Sequence, residues 1–290
     1  MRAKAPKTIV LIHGLWMTPR SWENWAAYCT SRGYRVLAPA YPGLEVEIGV
    51  LRDDPSPIQA LTLPGIVAHF EHIVRELNNP PILIGHSFGG LLVQILLDRG
   101  LGAAGVAIAS VPADGVLLVP PAQIRSVLPA LSNPANRHQV VPLSATQFHY
   151  AFTNTLSAEK SAAVYGRYHI PAPASLVWGS ILANPTPGCG DSYVNFANND
   201  RAPLLFIAGG ADHIMPASVN KSNAEHYRVS SALTEYKEFP GRSHYTVGEK
   251  GWEAVADYAL TWADQALAAS GLRGAGDGTT DEPRPSTART

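Results

Sequence analysis

Short apolar runs alternate with amphipathic segments through most of the chain, and this alternation constrains the fold more than any other feature of the sequence. The strand-like runs and the helix-like segments follow one another along the chain, with strands expected at 8–12, 34–40, 81–85, 105–110, 203–210 and 232–239 and helices at 21–33, 63–77, 89–100, 215–228 and 249–267. Apolar strands separated by helices are typical of a parallel sheet covered on both faces. The sequence therefore predicts an α/β fold with a mostly parallel central sheet. Ser21 is the expected N-cap of the first helix.

The alternation stops between two of the predicted strands. Residues 112–200 contain many prolines, several helix-like pieces and scattered aromatic side chains. A long insertion of this kind predicts a helical cap over the carboxyl edge of the sheet, because long structureless loops are uncommon in compact domains. We therefore expect a core of residues 1–111 and 201–270, a cap of residues 112–200 and a disordered tail of residues 271–290.

Residues 80–100, PPILIGHSFGGLLVQILLDRG, place Ser87 between a buried strand and a helix. Gly85 and Gly89 lie two positions before and after it, as in the G-x-S-x-G turn that raises a serine above the end of a strand. The strand before the serine and the helix after it supply the context that this short pattern requires. The amino end of the helix also favours developing negative charge. Ser87 is therefore the candidate nucleophile.

A serine is a poor nucleophile unless a histidine, oriented by a carboxylate, removes its proton. Asp212 follows the fifth strand-like run, and His244 follows the sixth. Neighbouring parallel strands would bring both loops to the edge of the sheet from which Ser87 emerges. The sequence thus predicts a catalytic triad of Ser87, His244 and Asp212.

Two other residues compete for these roles. Asp114 follows the strand-like run at 105–110 and could orient the histidine in place of Asp212. His213 is a second candidate base, although a base directly after the acid in sequence would usually point away from it.

The oxyanion of an acyl-transfer intermediate needs backbone N–H donors. Phe88, directly after the nucleophile, would supply one of them. Leu15, in the loop after the first strand-like run, is the best candidate for the other, with Trp16 next. We expect Trp16 and His86 to bind substrate, with a structural role as the alternative for His86. His13 is expected to organise the loop by hydrogen bonding.

The motifs H-G-L-W, G-H-S-F-G-G, G-G-A-D-H-I-M-P and P-G-R-S-H, in this order, resemble those of the α/β-hydrolase superfamily, in the branch of small serine esterases. The resemblance covers about residues 8–268. It implies a cap between the sixth and seventh strands of the family's sheet, and the same site roles: Ser87 as nucleophile, Asp212 as acid, His244 as base, and Leu15 and Phe88 as oxyanion donors. The lipase-type H-G-G-G loop is absent, which argues against the branch specialised for esters of tertiary alcohols.

The expected reaction is hydrolysis of a carboxylic ester through an acyl-enzyme. The aromatic and aliphatic content of the cap, with few charges, favours a moderately apolar small molecule as substrate. The same site could act on a lactone, a thioester or a carbon–carbon bond beside a ketone, or could catalyse perhydrolysis without a cofactor. A ligand receptor without catalytic activity is the alternative from a different class.

Composition narrows the range of partners. The net charge of −1 gives no sign of nucleic-acid binding, and the absence of an 18-residue apolar run predicts no membrane span. The G-x-G-x-x-G match at 100–105 follows a helix and opens a strand, the reverse of a dinucleotide-binding turn. His69, His72 and Glu76 share a helix face that we interpret as solvated, without a metal. We expect a cytoplasmic protein that needs no cofactor, with its oligomeric state open.

Overall fold

The computed structural model describes residues 7–181 and 190–276, and a six-stranded parallel sheet forms its centre. The strand order is β2-β1-β3-β4-β7-β8, and each neighbouring pair is parallel. The α/β architecture predicted from the alternation is therefore confirmed. The strands of this sheet, together with the two-residue strands β5 and β6, are β1 (Thr8–Ile12), β2 (Arg35–Leu37), β3 (Ile82–His86), β4 (Ala104–Ile108), β5 (Val140–Val141), β6 (Ala172–Pro173), β7 (Leu204–Gly209) and β8 (Thr234–Phe239).

Helices connect the strands and cover the sheet, as parallel connections require. Short 3₁₀ turns occur at Pro19–Trp22, Pro134–His138 and Tyr227–Val229. The α-helices are α1 (Glu23–Ser31), α2 (Ile48–Asp53), α3 (Ser56–Gln59), α4 (Leu63–Arg75), α5 (Phe88–Asp98), α6 (Pro121–Leu131), α7 (Ala145–Phe152), α8 (Ala158–Tyr168), α9 (Ala174–Ile181), α10 (Ala217–His226) and α11 (Trp252–Gly276). None of the helices in the described part of the chain is long and apolar enough to cross a membrane.

The hydrophobic core lies along the middle strands of the sheet. All residues of β3, β4 and β7 are buried, because helices cover both faces of these strands. β8 lies at one edge, and its sequence TEYKEF mixes exposed with partly buried residues. The most apolar runs of the sequence therefore occupy the middle of the sheet, and the loops at their carboxyl ends have rigid support.

A long insertion separates β4 from β7, which are neighbours in the sheet, and we keep the name cap for it. It contains α6 to α9 and the antiparallel pair of β5 and β6. Phe148 and Phe152 of α7 stack with ring centroids 4.8 Å apart, and both are buried. Aromatic side chains thus form the interior of the cap where it meets the core.

Two local features differ from the sequence-based expectation. Thr18, not Ser21, caps the first helical turn, and its hydroxyl accepts a hydrogen bond from the Arg20 amide; the Ser21 hydroxyl instead donates to the Thr18 carbonyl at 2.9 Å. At the other end of the chain, α11 continues to Gly276, so residues 271–276, expected in a disordered tail, are helical. The remainder of that tail, residues 277–290, lies outside the described residues.

Candidate active site

Ser87 occupies the turn between β3 and α5, at the carboxyl edge of the sheet. Its φ of 57° and ψ of −118° lie outside the conformations common to non-glycine residues, so the turn is strained. Glycine is required at position 89, where a Cβ would lie 2.1 Å from the Ile12 carbonyl oxygen, and at position 85, where it would lie 2.0 Å from the Gly89 carbonyl oxygen. The close approach of the strands to the helix therefore selects the two glycines and presents Ser87 between them.

Asp212 and His244 meet at the ends of β7 and β8. The His244 Nδ1–H donates to the Asp212 Oδ2 at 2.7 Å, and both side chains are completely buried. The other carboxylate oxygen accepts the backbone N–H groups of Ile214, at 2.9 Å, and Met215, at 2.8 Å. Three hydrogen bonds therefore satisfy the buried carboxylate and fix its orientation toward the imidazole.

The second ring nitrogen of His244 has no hydrogen-bond partner among the described residues. Because Nδ1 carries the proton donated to Asp212, Nε2 of the neutral ring is unprotonated. This atom is also buried. The edge of the Phe152 ring lies against the imidazole, with ring centroids 4.8 Å apart. The ring is thus held in one tautomer, with its basic nitrogen uncommitted.

His86 supports the loop that carries His244. Its Nε2–H donates to the His244 backbone carbonyl at 2.8 Å, and the two rings lie 4.6 Å apart. Burial lowers the pKa of His86 well below its ordinary value of 6.5, and the neighbouring His244 lowers it further. His86 is therefore neutral, is only 2% exposed, and uses its ring nitrogen on the backbone of the candidate base. This contact agrees with the structural role that the sequence analysis gave His86 as the alternative to substrate binding.

Sequence reasoning missed Glu249, which also organises this loop. The side chain is buried, and it accepts hydrogen bonds from the Ser243 amide at 3.0 Å and the Thr155 hydroxyl at 2.8 Å. The Arg242 Nε lies 3.5 Å from the same carboxylate. Glu249 thereby joins the His244 loop to the cap. No motif marks this glutamate, and only its position five residues after the histidine could have drawn attention to it.

The two expected oxyanion donors lie on either side of the nucleophile. Phe88 is the first residue of α5, so its N–H has no partner within the helix. Leu15 follows Gly14, where a Cβ would lie 2.8 Å from the Ser87 Cβ. Within the described residues, the Leu15 amide makes no backbone hydrogen bond. Both amides are therefore available beside Ser87.

Trp16 connects the Leu15 loop to the cap. Its indole Nε1–H donates to the Val141 carbonyl at 3.0 Å, and its own carbonyl accepts the Ile170 N–H, also at 3.0 Å. Its φ of 62° lies in the left-handed region, which is uncommon for a residue with a bulky side chain. The residue is only 4% exposed. Trp16 thus holds the cap against the loop, and because it also borders the narrow pocket at Gly14 and Leu15, its contact with substrate stays a prediction.

The competing acid and base of the sequence analysis lie apart from the Asp212–His244 pair. His213 turns toward the cap, where its Nδ1–H donates to the Tyr150 carbonyl at 2.9 Å and its ring packs on the Tyr150 ring. Asp114 is buried, yet neither of its carboxylate oxygens has a hydrogen-bond partner in the described part of the chain. Asp212 is therefore the carboxylate that orients His244.

A cavity of about 480 Å³ lies between the core and the cap beside Phe88. Leu63 of α4 and Leu176 of α9 contribute apolar walls, and Asp114 and Ser192 contribute polar groups. A much narrower pocket borders Gly14, Leu15 and Trp16. The larger cavity is thus a space of ligand size that borders Phe88, one of the two residues expected to bind an oxyanion.

His69 and His72 of α4 have separate hydrogen-bond partners. Among the described residues, no group of three or more histidine, cysteine, aspartate or glutamate side chains is arranged to hold a metal ion. His72 pairs with Glu76 at 3.2 Å on the exposed face of the helix. The His69 Nε2–H donates to the Ala40 carbonyl at 3.0 Å.

Comparison with known proteins matches residues 9–258 to the model of the Alpha/beta hydrolase family. Among solved structures, an extracellular alpha/beta-hydrolase from a Paenibacillus species is 20% identical with a TM-score of 0.66, covering 89% of this chain and 99% of its own. A monoacylglycerol lipase from Paleococcus ferrophilus is 18% identical with a TM-score of 0.62, covering 91% and 96%. A thermophilic esterase from Thermogutta terrifontis is 16% identical with a TM-score of 0.63, covering 91% and 92%. No curated protein sequence is similar enough to match.

Proposed function

The chain belongs to the alpha/beta hydrolase family, and from this premise we propose that it is a serine hydrolase that cleaves a carboxylic ester of a moderately apolar small molecule. The observation that carries the proposal is the buried hydrogen bond of 2.7 Å between His244 and Asp212. It leaves an unprotonated imidazole nitrogen at the edge of the sheet where Ser87 emerges. Among the similar solved structures are a lipase and an esterase, which agrees with this reaction class.

In the first step, Nε2 of His244 takes the proton of the Ser87 hydroxyl as Oγ attacks the ester carbonyl carbon. The imidazolium that forms is stabilised by the ionised Asp212, which stays unprotonated. The N–H groups of Leu15 and Phe88 donate to the tetrahedral oxyanion, which collapses with expulsion of the alcohol. His244 returns its proton to the leaving oxygen, and the acyl group remains on Ser87.

In the second step, His244 removes a proton from water, and the hydroxide attacks the acyl-enzyme carbonyl. The same two amides stabilise the second oxyanion. Collapse releases the carboxylic acid and returns the proton to Ser87 Oγ. No metal or redox cofactor takes part in either step of the proposed cycle.

Covalent labelling with a fluorophosphonate probe tests this proposal. We expect the probe to attach to Ser87 in the wild type and the label to disappear in Ser87→Ala. Ser132→Ala, which removes an exposed hydroxyl in the cap, serves as the matched control and should label like the wild type. Equal labelling of wild type and Ser87→Ala, or no labelling of either, would refute the proposal.

A series of aryl esters with increasing acyl length then tests the substrate class. The apolar part of the cavity wall, with Leu63 and Leu176, should favour medium chains over acetate in kcat/KM, because each additional buried methylene contributes about 0.8 kcal/mol. Equal turnover of acetate and decanoate would contradict a shaped apolar site.

A further inference from the structure

Asp114 is a buried carboxylate that the proposed mechanism does not use. Asp114 as a whole is 3% exposed, and neither of its carboxylate oxygens has a hydrogen-bond partner within the described residues. Its backbone is nevertheless held firmly, because its N–H donates to the Ser192 carbonyl at 3.1 Å. An ionised carboxylate without a partner is costly to bury. The position therefore favours a group that the described residues do not supply.

The chain places Asp114 close to the nucleophile. The Val111 N–H donates to the Ser87 carbonyl at 3.0 Å, and Asp114 follows three residues later. Three residues span at most about 11 Å between Cα atoms. Asp114 also lines the 480 Å³ cavity together with Phe88, one of the two proposed oxyanion donors. A substrate whose carbonyl lies at Ser87 could therefore extend another group to this carboxylate.

Gly190 packs directly against the Asp114 carboxylate, where only a residue without a side chain fits. A Cβ at Gly190 would lie 2.1 Å from the Asp114 Oδ2, so any larger residue would displace the side chain. The other charged groups that line the cavity, Arg137 and Asp191, are both exposed, and neither pairs with Asp114 within the described residues. The carboxylate thus lies in the wall of the cavity with both oxygens buried, and no charged group of the described residues compensates it there.

We propose that Asp114 binds a cationic hydrogen-bond donor of the substrate, an ammonium group, so that the preferred ester has an apolar body that carries one such group. This inference rests on the proposed ester hydrolysis at Ser87 and adds the charge that the substrate bears. A protonated amine supplies both the positive charge and the N–H donor that a buried carboxylate lacks.

Pairs of esters that differ in one position test the idea. On the alcohol side, 2-(dimethylamino)ethyl hexanoate is compared with 3-methylbutyl hexanoate; on the acyl side, methyl 6-(dimethylamino)hexanoate is compared with methyl 7-methyloctanoate. Each pair exchanges a protonated nitrogen for a carbon of the same shape. In at least one pair, the wild type should prefer the ammonium ester by at least about tenfold in kcat/KM, since hydrogen bonds to charged groups are the strong ones.

Asp114→Asn keeps the shape and removes the charge, and it should reduce this preference to about one. Asp191→Asn removes an exposed carboxylate from the same cavity, and it should retain the preference because water screens its charge. Gly190→Ala provides a second route, since its Cβ would displace the Asp114 carboxylate, and it too should lower the preference. Persistence of the preference in both Asp114→Asn and Gly190→Ala would overturn the assignment.

Binding to Ser87→Ala separates this inference from the proposed function. Calorimetric titration with the same esters needs no turnover. The ammonium ester should bind to Ser87→Ala at least about tenfold more tightly than its neutral partner. The double variant that also carries Asp114→Asn should bind the two esters equally. Equal binding, together with labelling of Ser87 in the wild type, would refute the Asp114 site and leave the hydrolase proposal intact. Absence of labelling with charge-dependent binding would refute the hydrolase proposal alone.

Discussion

Protonation of His169 should destabilise the packing inside the cap in mild acid. The ring is 2% exposed and stacks on Tyr165 with centroids 4.5 Å apart. Its Nε2 accepts the Leu143 N–H at 3.1 Å, which requires that this nitrogen is unprotonated. Burial lowers the pKa of His169 to about 4, and the positive charge of Arg52 contributes.

The sign and size of the effect follow from linkage. The unfolded chain takes up a proton at His169 below its ordinary pKa of 6.5, whereas the folded chain takes it up only below about 4. The stability is complete above the unfolded pKa, and it falls as the pH falls from 6.5 toward 4. Each pH unit in this window costs about 1.4 kcal/mol, so the loss is about 2 kcal/mol at pH 5. That is a substantial part of the 5–15 kcal/mol typical of a folded domain.

His169→Gln tests this because the amide oxygen can accept the Leu143 N–H and cannot titrate. Urea unfolding, followed by tryptophan fluorescence at pH 7.5, 6 and 5, gives the free energy of unfolding at each pH. Between pH 7.5 and 5, the variant should lose about 2 kcal/mol less than the wild type. His72→Gln, at an exposed position, should behave like the wild type. An equal loss in the wild type and His169→Gln would refute the reasoning.

Two further predictions concern the candidate active site, and a third concerns a helix of the cap. Asp212→Asn should lower kcat by about 10⁴, because an amide can stabilise the wrong tautomer of His244. Asp114→Asn should leave a measurable rate on a neutral ester. Steady-state kinetics measure both rates, and a larger loss of kcat in Asp114→Asn than in Asp212→Asn would contradict the assigned acid. Gly89→Ala should abolish folding or activity, since its Cβ would meet the Ile12 carbonyl. Gly166→Ala, in a helix with open space around it, should stabilise the protein by about 0.5–1 kcal/mol in thermal unfolding, and loss of stability there would contradict this reading.

The geometry of the candidate site could be predicted from the sequence because its residues follow the ends of strands. The strand-like runs before Ser87, Asp212 and His244 are strands of one parallel sheet; the first two are buried, and the third lies at the edge. In such a sheet the loops at the carboxyl ends of neighbouring strands must meet, wherever they lie along the chain. The pairing of His244 with Asp212 follows from this topology, since β7 and β8 are adjacent.

The positions of Trp16 and His86 could not be predicted in the same way. Both side chains combine an apolar ring with one N–H donor, so their pattern in the sequence suits a ligand or a backbone carbonyl equally well. Their partners, Val141 and the His244 carbonyl, are 125 and 158 residues away in the chain. Only the packing of the cap and of the β8 loop determines which carbonyl each donor reaches. Similarly, Asp114 follows a strand as a triad acid would, and its unpartnered state is visible only in three dimensions.

The double attachment of Trp16 to the cap has a consequence for protein engineering. Exchanging caps between related enzymes is an attractive route to new specificity, because the cap is one continuous insertion. Here, a transplanted cap would also have to offer acceptors and donors in place of the Val141 carbonyl and the Ile170 amide. Without them, the left-handed backbone at Trp16 would relax, and the neighbouring Leu15 amide would turn away from Ser87. We therefore expect that exchanging the cap of this protein would change its selectivity and its rate together.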